Sequence, residues 1–210
     1  MGFLFRILAR FPLWLLHGLG AILGWLAYLL SASYRRRFNE NAKKASCAQH
    51  QVRGAVAHAG RMALELPRLW LGKPVSIEWN GANWIDAAHI SGQGIIFLTP
   101  HLGCFEITAQ AYAQRYAVAG KSMTVLYRPA RKPWLQAILL HARNRPGLAA
   151  APASLSGVKT LVKALRSGQA LGILPDQVPP QGLGEWAEFF GQAAYTMTLP
   201  ARLQHQTGAQ

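Results

Sequence analysis

The residue types best suited to chemistry sit together in Thr99-Pro100-His101-Leu102-Gly103-Cys104-Phe105-Glu106. A neutral histidine can take a proton from a hydroxyl as that hydroxyl attacks an acyl carbon, and a nearby carboxylate can orient the ring and stabilise the imidazolium. His101 and Glu106 supply that pair of types. If a helix begins near Gly103, Glu106 falls in its first turn and the two side chains can meet across the turn. Within one continuous helix, a spacing of five would point them to different sides. Two roles are open to Glu106 on spacing alone: catalytic partner of His101, or a helix N-terminal acid. Cys104 is a weaker candidate nucleophile and fits better as a small packing residue. No G-x-S-x-G elbow supports a serine route, and no H-E-x-x-H spacing supports a metal site. Neither a metal nor a cofactor is expected.

Further candidates follow other apolar runs. Arg128 stands before Pro129 after Ser122–Tyr127, and Arg131, Lys132, Arg143 and Arg145 continue a basic segment. Arginine suits bidentate binding of phosphate or carboxylate; the bland alternative is a solvated helix face. Asp176 and Gln177 follow Leu174-Pro175, where an Asx turn is the bland alternative.

Positioning these groups requires an α/β fold. Apolar runs at Ile95–Leu98, Ser122–Tyr127, Leu148–Ala151 and Ala170–Leu174 read as strands, with a further short one at Val75–Trp79. Helices are expected at Asn83–His89, Glu106–Tyr116, Pro133–Arg143 and through the Leu155–Leu165 stripe. Alternating strands and helices imply a mostly parallel central sheet flanked by helices. The carboxyl ends of parallel strands share one edge, so Thr99-Pro100-His101, Tyr127-Arg128-Pro129 and Leu174-Pro175-Asp176 are expected to converge.

The remaining features concern partners. Twenty-two Lys and Arg against eight Asp and Glu leave the 210-residue chain at +14, which points to a polyanionic partner. Cys47 and Cys104 are too few for a disulfide framework. Phe11–Leu30 carries no formal charge and as a helix would span roughly 30 Å. Arg6 and Arg10 precede it and Tyr34-Arg35-Arg36-Arg37 follow, so residues 1–34 are expected to anchor the chain at a membrane and 35–210 to form the α/β domain. The heavier basic flank keeps that domain cytoplasmic. Glycines, His17 and Pro12 leave open whether the anchor crosses or lies in the interface. Glu40–Leu71 is helical in pattern, with Pro67 ending or kinking it.

His101-Leu-Gly-Cys-Phe-Glu106 resembles the H-x4-D/E motif of glycerolipid acyltransferases. The order of blocks resembles the late acyltransferases of lipid A biosynthesis, the lauroyl/myristoyl acyltransferase family. Those blocks are Tyr127-Arg128-Pro129, Arg143-Asn144-Arg145, Leu174-Pro175-Asp176-Gln177, Phe189-Phe190-Gly191 and Ala201-Arg202-Leu203. The resemblance implies acyl transfer from acyl carrier protein to a hydroxyl of an acyl chain on a phosphorylated lipid A precursor, at the bacterial inner membrane. It implies His101 as general base oriented by Glu106, Arg128 with Arg143 or Arg145 on substrate phosphate or the oxyanion, and Asp176 supporting the site, with Gln177 beside it. Glu106 and the Leu-Pro-Asp-Gln block favour this branch over lysophosphatidate acyltransferases, which carry Asp and a Pro-Glu-Gly block. Family members continue for several tens of residues beyond Gln210, so a further C-terminal helical part is expected. Other readings are transfer to another glycolipid or a lysophospholipid, or a non-enzymatic basic module at a membrane surface or on nucleic acid; no nucleic-acid motif supports the last.

Overall fold

The computed structural model describes residues 2–130, 132–143 and 145–210. They group into two compact units, residues up to Pro74 with Ala187–Ala194, and Val75–Trp186 with Tyr195–Gln210.

The N-terminal unit is helical. The helix expected over Phe11–Leu30 is α2, Leu13–Leu30 with Pro12 at its N-cap, and a short further helix, α1 (Gly2–Leu8), precedes it. Proline is tolerated at a helix start but not inside one. The Glu40–Leu71 pattern is likewise two helices, α3 (Ala32–Lys44) and α4 (Gln49–Leu71). Between them Ser46 takes a positive φ of 54°, which ends α3. Ser31 caps α3 by accepting from the Tyr34 N–H. Pro67 does not end α4, which runs on to Leu71 with Pro67 fully buried; tertiary packing outweighs the lost hydrogen bond.

The second unit holds a four-stranded sheet of β1 (Ile95–Leu98), β2 (Met123–Tyr127), β3 (Leu148–Pro152) and β4 (Ala170–Ile173), in the order β1-β4-β2-β3. All three pairings are parallel, as expected. Helix α5 (Ala82–Ile90) precedes β1, and α6 (Glu106–Tyr116), α7 (Pro133–Arg143) and α8 (Leu155–Arg166) are the crossovers between successive strands. β4 lies between β1 and β2, and its Ala170, Leu171 and Ile173 are fully buried. One cluster packs Ile95, Tyr112, Tyr116, Met123 and Leu148 together; another packs Leu161, Leu165, Leu171 and Ile173 with Leu203 of α9 (Leu199–Thr207). Residues 75–79, expected as a strand, take no regular secondary structure. β5 (Gly184–Phe189) and β6 (Gln192–Met197) form a separate two-stranded sheet. Phe190 and Gly191, both at positive φ, make its turn.

Candidate active site

The pairing of β1 with β4 builds the centre of the site. Leu98 is opposite Ile173, and the Thr99 N–H extends the ladder by donating to the Ile173 carbonyl at 3.0 Å. His101 and Asp176 each stand three residues beyond that pair, after Pro100 and Pro175. The Asp176 carboxylate takes the backbone N–H of His101 on Oδ2 and faces ring Nδ1 with Oδ1, both at 2.7 Å. Phe105 meets the imidazole edge-on, with ring centres 4.8 Å apart. Gln177 Nε2 is 3.3 Å from His101 Nε2.

Charge fixes the tautomer. Burial pushes the Asp176 carboxyl up, but the hydrogen bonds from the His101 backbone and ring more than offset this and hold it below its ordinary value. An ionised Asp176 can only accept, so Nδ1 carries the proton, and in the neutral ring Nε2 is then the atom with the lone pair. Gln177 donates to that lone pair, marking where a substrate hydroxyl would be received.

The expected His101–Glu106 pair is replaced by two separate pairs. After Gly103, whose φ of 58° turns the chain, Glu106 is the first residue of α6. Its Oε1 accepts from Arg143 Nη2 at 2.5 Å, with the two side chains 11% and 21% exposed. The register of β1 and β4 thus sets Asp176 on the imidazole, and α7 presents its last-turn arginine to Glu106. Arg145 donates to Gln110 Oε1 at 3.1 Å, and burial holds its guanidinium below the ordinary value. Arg128 follows β2 on the same sheet edge; it is exposed, without a hydrogen bond or ion pair among the described residues. Of the anticipated basic segment, Arg131 lies outside the described residues, as does Asn144.

A cavity of about 410 Å³ opens beside these groups. Thr99, Glu106 and Arg143 are polar groups in its lining, and Phe105, Phe97, Ile85, Tyr112, Val125 and Gly172 form much of its apolar wall. Its size falls in the roughly 300–1,000 Å³ range of small-molecule pockets. The Tyr112 hydroxyl and His89 Nε2 are 3.0 Å apart, and His89 Nδ1 is buried without a hydrogen-bond partner among the described residues. Burial, aided by Lys121, holds the His89 ring below its ordinary value despite Asp86. Sequence reading did not single out Phe105 or Gly172. Phe105 adjoined the motif and could have been weighed; Gly172 gave no signal beyond a glycine in a buried strand.

Comparison with known proteins follows the same direction. Residues 2–210 match the family model for bacterial lipid A biosynthesis acyltransferases. A lipid A biosynthesis myristoyltransferase of Escherichia coli (strain K12) is 28% identical over 125 residues, which is 60% of this chain and 36% of that protein. Lipid A biosynthesis acyltransferase 2 of Shigella flexneri is 27% identical over 122 residues, 58% of this chain and 37% of its own length. The matched stretch thus spans little more than a third of the length of these relatives. The family match, in contrast, extends over nearly every residue, and by it the chain belongs to the bacterial lipid A biosynthesis acyltransferase family.

Proposed function

We propose that this chain transfers an acyl group from acyl carrier protein to a hydroxyl on an acyl chain of a phosphorylated lipid A precursor, at the cytoplasmic face of the bacterial inner membrane. One observation carries the reading: a histidine whose Nδ1 is held by an ionised aspartate and whose Nε2 meets the displaceable amide of Gln177, in a loop whose flanking Thr99 and Phe105 line an apolar cavity. The acceptor hydroxyl displaces the Gln177 amide and gives its proton to His101 Nε2 as its oxygen attacks the thioester carbonyl carbon. Asp176 stays ionised and stabilises the imidazolium. The tetrahedral intermediate collapses with breakage of the C–S bond, and the imidazolium returns the proton to the departing thiolate. No covalent acyl-enzyme is needed.

The other polar groups serve binding. Arg143, aligned by Glu106 and lining the cavity, suits a developing oxyanion. Glu106 is therefore a positioning residue for Arg143, while Arg145 and the exposed Arg128 suit acceptor phosphates. The cavity wall suits the donor's acyl chain, and the +14 charge suits both an acidic carrier and an anionic lipid. The test is incubation of the chain with acyl carrier protein loaded with a fatty acid and a tetra-acylated, phosphorylated precursor. Mass spectrometry should find the precursor heavier by one acyl group as an ester. Acylation of a lysophospholipid in its place, or of neither, refutes the acceptor assignment.

A further inference from the structure

The helices before Pro74 leave one apolar face uncovered. On α2, Leu19, Ile22, Leu23, Leu26 and Leu29 recur at helical spacing and are exposed, and Trp14 and Leu30 extend the stripe at 75% and 82% exposure. The opposite face, Leu16, Gly20 and Gly24, is buried. What buries it is α4, running antiparallel to α2. Gly24 backs onto Val56, Gly20 onto Gly60 and Arg61, and His17 Nε2 lies 3.0 Å from Glu65 Oε2. A Cβ on Gly24 would lie 2.5 Å from the Val56 carbonyl oxygen, and one on Gly60 would overlap the Gly20 carbonyl. The two backbones are in direct contact. Separating them would also strip Glu65, 7% exposed, of its partner.

Length and composition alone would let α2 cross a bilayer: 18 residues make about 27 Å of helix. α4 argues the other way. A spanning α2 would carry its packed partner into the hydrocarbon, and α4 holds Arg53, His58, Arg61, Glu65 and Arg68. Arg53 and His58 are exposed and would face lipid, where such groups are strongly disfavoured. Cations instead flank α2 on both sides in sequence, with Arg6 and Arg10 before it and Arg35, Arg36 and Arg37 in the first turns of α3 after it. That arrangement complements anionic headgroups around a shallow apolar insertion.

We infer that α2 lies in the plane of one leaflet of an anionic bilayer, its exposed stripe among the acyl chains and α4 on the aqueous side. The placement stands on packing among the first 74 residues and does not depend on the acyl-transfer reading. The test uses the full chain with Arg10→Cys, position 10 reporting the chain before α2 and the native exposed Cys47 the chain after α3, ahead of α4. A membrane-impermeant maleimide is applied to intact spheroplasts and to inverted inner-membrane vesicles, and labelling is read by peptide mass spectrometry. Both positions should react at least tenfold more in the same preparation. Position 10 reacting in one and Cys47 in the other would overturn the inference, as would recovery of the chain in the soluble fraction. As a second measurement, Ile22→Asp with Leu26→Asp alters only exposed positions. It should lower co-sedimentation with 3:1 phosphatidylethanolamine–phosphatidylglycerol vesicles at least tenfold; unchanged binding overturns the proposal.

Discussion

Replacing Asp176 by Asn keeps the shape of the side chain and removes what the site uses it for. The carboxylate accepts twice, from the His101 backbone N–H and from ring Nδ1–H, each at 2.7 Å. An amide offers one acceptor and one donor, so either the backbone bond is lost or the ring must turn its other tautomer to the amide and surrender the Nε2 lone pair. Each charge-assisted bond is worth about 1.5–3 kcal/mol. The side chains of His101 and Asp176 are 34% and 36% exposed. Solvent screening then sets the expected loss at about 2–4 kcal/mol, or roughly 30- to 1,000-fold in turnover. The assay is steady-state transfer from acyl carrier protein to the precursor, with thermal unfolding in parallel. The loss should fall on kcat more than on KM. Asp176→Asn turnover within threefold of the parent, in a sample with unchanged Tm, would refute the assignment of Asp176 as the group that holds the base.

Three further outcomes are expected. Arg143→Ala removes the guanidinium that the nearly buried Glu106 carboxylate accepts from, which should destabilise the fold by about 3 kcal/mol, whereas Arg143→Ala with Glu106→Ala should cost about 1–3 kcal/mol less than the sum of the single changes; denaturant unfolding of the four proteins checks this. Gly172→Val intrudes on the cavity, since a Cβ there already meets Val125 Cγ1 at 3.2 Å; donors with shorter chains should be favoured, by about fourfold per methylene that no longer fits, in competition assays with mixed donors. The His89 ring has a lowered folded-state value, so below its ordinary 6.5 the unfolded chain takes up a proton that the folded one refuses. Stability should therefore fall as pH drops through that point, and His89→Gln should flatten the fall in urea titrations between pH 5 and 8.

Local signals read well from the sequence where periodicity was strong and elements were buried. The bounds of α6 and α7 matched expectation, and the runs at Ile95, Ser122, Leu148 and Ala170 became β1 to β4 within a residue or two. Their parallel pairing followed from the helices between them. What could not be read was strand order. That β4 enters between β1 and β2 is a long-range choice, and it decides that Asp176 rather than Glu106 meets the imidazole. The hairpin of β5 and β6 escaped notice because β5 is mostly exposed and its sequence lacks a buried alternating face. Residues 75–79 carried a strand-like pattern but found no neighbour, and line the cavity with Ile77 and Trp79 instead. The split at Ser46 and the persistence of α4 past Pro67 reflect packing within the helical unit.

The central claim is that His101 Nε2 removes the acceptor's proton. It is tested most directly by single-turnover transfer from a labelled acyl carrier protein to the phosphorylated precursor, comparing the parent with His101→Ala and His101→Gln. Loss of the general base should slow the chemical step by about 10²- to 10⁴-fold in both variants, with Tm and donor binding unchanged. A rate within tenfold of the parent in either folded variant would contradict the account.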